Sequence, residues 1–343
     1  MNQVRLGATD LVVSEIGFGC ARLGGFFQGG ARDAVIHTLR AAHDRGITFF
    51  DTSDMYSQGE SETLLGLAFG ELGSAVTIAT KVGYRLPSRR TLLARAKPLL
   101  GPLVRAARLR RAQIPVFARG AISQDFSPGH VTRSAEASLR RLRRDCLDLY
   151  QLHSPPVAML ASGDFLEPLE RLKAAGKIRY YGVSCEDAAD VKLALGHAGV
   201  STVQLRLSVL AQQALSSAVP EAAAKNVGVI ARECFAGGLL TKPLDALGLE
   251  AFMPSAEERA AKQAEIAGYH RIAAALGRTM PECALQFVRA TPGVSVTLLG
   301  MRNEQQLEWN LALLEASPLM TAEVTGLRAM YEGASTSGGT TAA

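Results

Sequence analysis

The feature that most constrains the fold is a regular alternation of short apolar runs with amphipathic runs, repeated eight times along the 343-residue chain. The apolar runs have the length and composition of buried strands, and the amphipathic runs have helical spacing. Apolar strands that alternate with helices pair in parallel and are covered on both faces. The eight predicted strands cover residues 14–20, 47–51, 75–81, 147–153, 178–184, 201–207, 227–233 and 293–300.

Eight strand–helix units favour one (β/α)8 TIM barrel of the α/β class over two separate halves. No Gly- or Pro-rich linker divides the chain, so we expect a single domain over residues 1–332. A short N-terminal β-hairpin should precede the barrel, and extended loops should lie at its C-terminal face. The longest is residues 85–127, after strand three, which we interpret as a lid or a wall of a substrate pocket. The small, polar tail 333–343 is predicted to be disordered.

The composition predicts a soluble cytoplasmic protein. Apolar residues make up 48% of the chain and charged residues 20%, which excludes disorder over most of the length. The five cysteines form no CxxC pair, so we expect reduced thiols and no metal site. No N-terminal signal pattern and no apolar stretch of about 20 residues occurs, so we expect no membrane partner.

The net charge of +5 is concentrated in one segment. Residues 85–119 contain nine Arg and one Lys and no acidic residue. A solvated basic loop is the simplest interpretation, but an anionic cofactor, an anionic substrate or loose nucleic-acid contact would also suit this charge. We expect no nucleic-acid partner.

Polar side chains stand where three successive predicted strands end. Asp51, Lys81 and His153 close strands two, three and four, and Tyr56 follows Asp51 in the connecting loop. Barrel enzymes carry their chemistry at the C-terminal ends of the strands, and adjacent strands lie only about 4.8 Å apart. The sequence therefore predicts that these four side chains meet at one rim of the barrel.

Together the four residue types suit proton transfer to a carbonyl oxygen. An unassisted Tyr has a pKa near 10, and a neighbouring cation such as Lys81 lowers it. Asp51 would hold the ammonium, His153 would orient a substrate oxygen, and Tyr56 would act as the general acid. Taken singly, the same residues could be a loop cap, a surface lysine, a loop histidine and a packing tyrosine. Their coincidence at strand ends favours a site.

Several motifs extend this interpretation to a known family. The segments FFDTSDMYSQGESETLLG (49–66), VTIATKVG (76–83) and DFSPGHVTRSAEASLRRLRRDCLDLYQLHSPP (125–156) resemble, in order, the signatures of the aldo-keto reductase family. The resemblance covers roughly residues 4–330. It implies an NADPH-dependent oxidoreductase that reversibly reduces an aldehyde or ketone to an alcohol without a metal. It also implies that Tyr56 donates the proton, that Lys81 with Asp51 activates it, and that His153 orients the carbonyl.

The segment LLGMRNEQQLEWN (298–310) resembles the family's nucleotide-binding segment. Asn303 has the position of a helix N-cap, and Gln306, three residues later, completes a capping-box pattern. A capped helix alone would explain both residues, but a helix N-terminus also attracts phosphate. By resemblance, Arg302 contacts a 2′-phosphate, which favours NADPH/NADP+ over NADH. The cofactor-binding residues that the resemblance implies are Ser184, Gln204, Gly300, Arg302, Gln306 and Asn310.

Three positions depart from the family pattern. Cys185 stands where members often have Asn, so that its contact with a nicotinamide is expected to be weaker or to pass through water. Arg232 stands where many members have a Tyr-Ser-Pro segment, and it would either meet the pyrophosphate or pair with Glu233. Ser57 replaces a usual Gly, which tolerates a positive φ that Ser does not.

Two other functions remain compatible with the sequence. The chain could be an NADPH-binding regulatory subunit of the same fold with little turnover, although all four catalytic residue types are present. It could also be a barrel enzyme that forms a Schiff base on Lys81, which would leave the 298–310 segment unexplained. The expected partner is a small carbonyl or alcohol substrate, and the expected state is a monomer or small homo-oligomer.

Overall fold

The computed structural model describes residues 1–24, 32–85 and 123–337. The described residues form twelve strands, which are β1 (Gln3–Arg5), β2 (Val12–Ser14), β3 (Ile16–Gly19), β4 (Phe49–Asp51), β5 (Thr77–Val82), β6 (Tyr84–Arg85), β7 (Ser123–Gln124), β8 (Leu147–His153), β9 (Ile178–Ser184), β10 (Val200–Arg206), β11 (Gly228–Arg232) and β12 (Val294–Gly300). Eight of them, β3, β4, β5 and β8 to β12, close into a parallel barrel in chain order. Each matches a predicted strand to within a few residues, so the predicted (β/α)8 barrel is confirmed.

Helices cover the outside of the barrel. They are α1 (Arg32–Asp44), α2 (Glu60–Phe69), α3 (Pro128–Leu142), α4 (Val157–Ser162), α5 (Leu166–Ala174), α6 (Ala188–Leu195), α7 (Ala218–Ala224), α8 (Ala256–Ala275), α9 (Met280–Arg289), α10 (Glu304–Ala312) and α11 (Thr321–Ser337). The strands are buried on both faces because helices pack outside them and side chains fill the inside. Among the described residues, no helix combines the length and the apolar character that crossing a membrane requires.

The predicted N-terminal hairpin is also confirmed. Strands β1 and β2 pair antiparallel, and Leu6, Leu11 and Val13 enter the apolar cluster that fills the barrel interior. Phe49 and Leu149, from barrel strands, belong to the same cluster. The hairpin therefore helps to fill the N-terminal side of the barrel, which leaves the C-terminal side for polar chemistry.

Alternation along the strands explains why the interior changes from apolar to polar. Side chains two residues apart on a strand point to the same face. Phe49 and Asp51 are two apart on β4, and Ala79 and Lys81 are two apart on β5. Registers between neighbouring strands then bring the ends level, with Lys81 beside Gln151, His153 beside Ser184, and Ser184 beside Gln204.

Two predictions concern segments that lie largely outside the described residues. Strands β6 and β7 pair antiparallel and join the two ends of the long connection, whose residues 86–122 are not described. The lid or wall function of residues 85–127 stays a prediction. Helix α11 runs to Ser337, so residues 333–337 are helical where the sequence predicted disorder. Residues 338–343 of that tail are not described.

Candidate active site

A buried ion pair lies at the centre of the barrel rim. The Lys81 Nζ atom donates to Asp51 Oδ2 at 2.6 Å and to the Thr52 carbonyl oxygen at 2.8 Å. Lys81 is completely buried. Burial alone would lower the pKa of Lys81, but the charge of Asp51 and the contact with Tyr56 outweigh it and raise that pKa. The ammonium therefore keeps its charge at neutral pH.

The second oxygen of Asp51 is held from two further strands. Gln204 Nε2 donates to Asp51 Oδ1 at 2.9 Å, and Gln151 Nε2 donates to the same oxygen at 3.4 Å. Ser184 Oγ donates to Gln204 Oε1 at 3.0 Å, which extends the network to β9. Buried charges are stable only when such partners replace water.

Tyr56 lies directly above this pair, in a turn that follows β4. Lys81 Nζ is 5.2 Å from the centre of the Tyr56 ring, and the ring meets that of His153 edge-on at 5.9 Å. Burial raises the pKa of Tyr56, and the Lys81 ammonium lowers it by a smaller amount. The expected direction of the lysine effect is confirmed. The expected net lowering is wrong, because desolvation of the phenolate is the larger effect.

His153 completes the group as a neutral imidazole. Burial, followed by the positive charges of Lys81 and Arg232, lowers the pKa of His153 to about 3. The ring also meets Tyr84 edge-on at 4.9 Å between ring centres. The imidazole is therefore uncharged through the physiological pH range, and can donate from one ring nitrogen only.

A cavity of about 530 Å³ opens over these residues. Ten of the twelve predicted site residues line this cavity. They are Asp51, Tyr56, His153, Ser184, Gln204, Arg232, Gly300, Arg302, Gln306 and Asn310. The two remaining residues, Lys81 and Cys185, are completely buried. Residues predicted from separate parts of the sequence are thus brought together around one space.

The far end of the cavity is the start of α10. The Asn303 side chain accepts from the Gln306 backbone N–H at 2.9 Å, as predicted for an N-cap. The reciprocal half of the capping box is absent from this turn, because Gln306 Oε1 accepts instead from the Arg302 backbone N–H at 3.0 Å. The Arg302 guanidinium is exposed and pairs with no acidic side chain in the part of the chain that the structure describes.

Cys185 does not reach the cavity. Its thiol lies in the apolar core, where burial raises the pKa of Cys185 well above its usual value. Among the described residues, the one hydrogen bond of the Sγ atom is to the Val183 carbonyl oxygen, at 3.8 Å. The predicted contact between this side chain and a cofactor therefore does not follow from the geometry, because the thiol is packed in the apolar core and does not line the cavity.

Arg232 forms the ion pair that the sequence left open as an alternative. Its guanidinium pairs with Glu233 and with Glu186, and it donates to the Cys185 carbonyl oxygen at 3.1 Å. Its buried Nε atom has no partner within residues 1–24, 32–85 and 123–337. Glu186 was not predicted as a site residue, since only the closure of the barrel places it opposite Arg232.

Ser57 adopts the backbone conformation that a glycine favours. Its φ is 49°, in the left-handed region, and its hydroxyl donates to the Leu23 carbonyl oxygen at 2.7 Å. The hydrogen bond offsets part of the strain, because an intramolecular hydrogen bond contributes about 0.5–1.5 kcal/mol. Ser57 therefore adopts the positive φ at this position, and its hydrogen bond to Leu23 compensates part of the cost.

This gives a prediction about the stability of the Tyr56 loop. Ser57→Ala should lower the free energy of unfolding by about 1 kcal/mol, because it removes the hydrogen bond and keeps the strain. Ser57→Gly should change the free energy of unfolding less, because it removes the hydrogen bond and the backbone strain together. Urea unfolding of the two variants tests this. If Ser57→Gly were less stable than Ser57→Ala, the prediction would be wrong.

Within the described residues, no group of three or more His, Cys, Asp or Glu side chains is placed to hold a metal ion. The site is instead a protonated tyrosine above a charged lysine and beside a neutral histidine, at the mouth of a parallel barrel. In that combination the tyrosine can give a proton to an oxygen, and the charged lysine can stabilise the negative charge that remains on the phenol.

Fold and site together define a barrel oxidoreductase. The chain belongs to the aldo/keto reductase family, whose model matches residues 15–332. It is 26% identical over 329 residues to the uncharacterized oxidoreductase YqkF of Bacillus subtilis, with 96% of each chain covered. It is 29% identical to L-galactose dehydrogenase of Arabidopsis thaliana, covering 90% of this chain and 86% of that protein.

A further relative is pyridoxal 4-dehydrogenase of Microbacterium luteolum, at 28% identity over 91% of this chain and 92% of that protein. Among solved structures, the chain resembles an aldo-keto reductase of Bacillus halodurans in its holo form, with a TM-score of 0.75. That likeness covers 96% of both chains at 27% identity.

Proposed function

We propose that this protein reduces an aldehyde or ketone to the corresponding alcohol with NADPH, reversibly, and that Tyr56 supplies the proton. The observation that carries the proposal is the cavity. Tyr56 lines it next to the Asp51–Lys81 pair, and Arg302 lines it just before the start of α10. A proton donor and an anion-binding end within one space suit a phosphorylated redox cofactor and a small carbonyl.

The far end of the cavity fits such a cofactor. A Cβ atom built on Gly300 would meet nothing within 4 Å, so there is open space for close approach to the backbone. The Arg302 guanidinium and the start of α10 offer positive charge and N–H groups to phosphate. When bound, the cofactor supplies or accepts the hydride. Arg302 would hold a 2′-phosphate, and Ser184 and Gln204 would hold the nicotinamide amide.

The protein's own residues move and hold the proton. The Tyr56 hydroxyl would give its proton to the carbonyl oxygen as that oxygen gains negative charge, and a phenolate would remain on Tyr56. The Lys81 ammonium stabilises that phenolate, and Asp51 keeps the ammonium charged and in place. The neutral His153 donates a hydrogen bond to the same carbonyl oxygen and fixes its direction toward Tyr56.

A Schiff base on Lys81 is disfavoured by the same geometry. The amine is completely buried, it is absent from the cavity wall, and its pKa is raised. An amine must be neutral and accessible to attack a carbonyl.

A panel of aliphatic aldehydes, ketones, aldoses and pyridoxal, followed by the loss of NADPH absorbance, tests the proposal. We expect steady turnover with at least one carbonyl class. Tight NADPH binding without turnover on any class would instead favour a regulatory NADPH-binding subunit. The names of two relatives make a sugar and pyridoxal the first compounds to try.

Arg302→Ala should weaken NADPH binding far more than NADH binding, because only NADPH carries the 2′-phosphate that the guanidinium would contact. A lost charge-assisted hydrogen bond costs about 1.5–3 kcal/mol, or about a tenfold to hundredfold loss of affinity. Titration of cofactor fluorescence measures both. Arg171→Ala, on the outer helix α5, is the control and should change neither. An equal loss for NADPH and NADH would refute the phosphate role.

A further inference from the structure

A serine hydroxyl joins His153 to a carboxyl group that the proposed reaction does not use. Ser53 Oγ lies 3.3 Å from His153 Nδ1 and 3.3 Å from Asp54 Oδ1. Ser53 is completely buried, and its Oγ also accepts from the Met55 backbone N–H at 3.3 Å. The three side chains thus form a continuous hydrogen-bonded chain from Asp54 to the imidazole at the cavity.

The direction of this chain depends on the proton of Asp54, because a hydroxyl has only one proton to donate. When Asp54 is ionised, Ser53 donates to it and accepts from an Nδ1–H of His153. When Asp54 is protonated, it donates to Ser53, which then donates to a bare Nδ1. In the first case His153 Nε2 carries no proton, and in the second case it does, since the neutral ring holds one proton.

Both states of Asp54 are accessible near neutral pH. Burial, and then the charge of Glu62, raise the pKa of Asp54 to about 7, while Arg141, Ser53 and the Met55 N–H act in the opposite direction. Tyr150 also faces this carboxyl, which contributes to raising the pKa of that phenol.

The imidazole itself does not become charged in this range. Its pKa is about 3, and the charged groups that act on it are Lys81 and Arg232. The Tyr56 and Tyr84 rings both meet the imidazole edge-on. A change in His153 near pH 7 is therefore a move of its one proton between the two nitrogens.

We propose that Asp54, acting through the Ser53 hydroxyl, decides which nitrogen of His153 carries the proton. This rests on the proposed function, in which His153 meets the substrate oxygen; because Nδ1 faces Ser53, the nitrogen that does so is Nε2. A carbonyl oxygen only accepts, so it needs Nε2–H, which the protonated Asp54 provides. An alcohol can donate to a bare Nε2, which the ionised Asp54 provides. Asp54 is thus a positioning residue that favours reduction below about pH 7 and alcohol binding above it.

The direct test is nitrogen NMR of the cofactor-free protein with 15N-labelled histidine. The chain has six histidines, and His153→Gln identifies the His153 signals by their loss. The shift of each ring nitrogen reports whether it is protonated. Between pH 5.5 and 8.5 we expect His153 to pass from Nε2–H to Nδ1–H with a midpoint near 7, without becoming charged.

Three variants complete the test. Asp54→Asn and Ser53→Ala should both abolish the pH-dependent change of the His153 tautomer. Asp125→Asn should retain it, because this carboxyl is not part of the hydrogen-bonded chain from Asp54 to His153. In turnover assays, kcat/KM for carbonyl reduction by the wild type should fall about threefold to tenfold from pH 6 to pH 8. This is the effect expected from losing one hydrogen bond to the carbonyl oxygen. The fall should be smaller in Asp54→Asn.

The outcomes separate this inference from the proposed function. A His153 tautomer that is independent of pH in the wild type, or that still switches in Asp54→Asn, would overturn the role of Asp54, even if the protein reduces carbonyls normally. A switch that depends on Asp54 and Ser53 in a protein that reduces no carbonyl would support the hydrogen-bonded chain and refute the proposed reaction.

Discussion

Tyr56→Phe is expected to lower kcat for carbonyl reduction by about 10²- to 10⁴-fold, the usual contribution of a general acid. The expected cause is the loss of one hydroxyl, since the ring can keep its edge-on contact with His153. The residues proposed to hold the cofactor lie elsewhere in the cavity, so NADPH affinity should be nearly unchanged. Steady-state kinetics and titration of cofactor fluorescence measure the two effects separately.

Tyr84→Phe is the matched control for this prediction. Tyr84 also meets the His153 ring edge-on, at 4.9 Å, but no contact with Lys81 accompanies it among the described residues. It should keep most of the activity. Equal losses in the two variants, or a large loss of NADPH affinity in Tyr56→Phe, would show that Tyr56 has a structural role and is not the proton donor.

Lys81→Met is expected to have the second large effect, on stability as well as on activity. It leaves the Asp51 carboxylate buried without a cation, which costs about 3–5 kcal/mol when one partner of a buried pair is removed. It also removes the charge that stabilises the Tyr56 phenolate, so kcat should fall even where the variant is folded. Urea unfolding followed by circular dichroism gives the first quantity, and turnover below the unfolding transition gives the second.

A double variant separates the two roles of Lys81. Adding Asp51→Asn to Lys81→Met removes the unpaired charge while the Asn oxygen can still accept from Gln204. We expect most of the lost stability to return and the activity to remain low. If activity returned together with stability, the ammonium would be needed only for folding, and its proposed effect on the phenol would be wrong.

The fold could be predicted because its main determinants are local. Each buried strand is a short apolar run next to an amphipathic helix, and eight repetitions permit few arrangements. The rim could be predicted for a related reason. Residues at strand ends, such as Asp51, Lys81 and His153, come together whenever parallel strands close in register. Their position at the rim can therefore be predicted without knowing how the side chains pack.

What could not be predicted depends on burial and on backbone direction. The net rise in the pKa of Tyr56 reflects desolvation, which is a property of the packed loop and not of neighbouring residues in the sequence. The burial of the Cys185 thiol in the apolar core and the hydrogen-bond partner of Gln306 depend on local backbone geometry. The contact between Ser53 and His153 joins residues one hundred positions apart. No sequence motif predicts such a contact.

The most direct test of the central claim is a single turnover with the protein in excess. The protein is mixed with one equivalent of NADPH and then with each member of the carbonyl panel, and the cofactor absorbance and the product alcohol are both measured. We predict that one carbonyl class oxidises the bound NADPH and yields one alcohol per NADPH, at a rate that Tyr56→Phe reduces about 10²-fold or more. Bound NADPH that survives every carbonyl, or oxidation that is equally fast in Tyr56→Phe, would contradict the account.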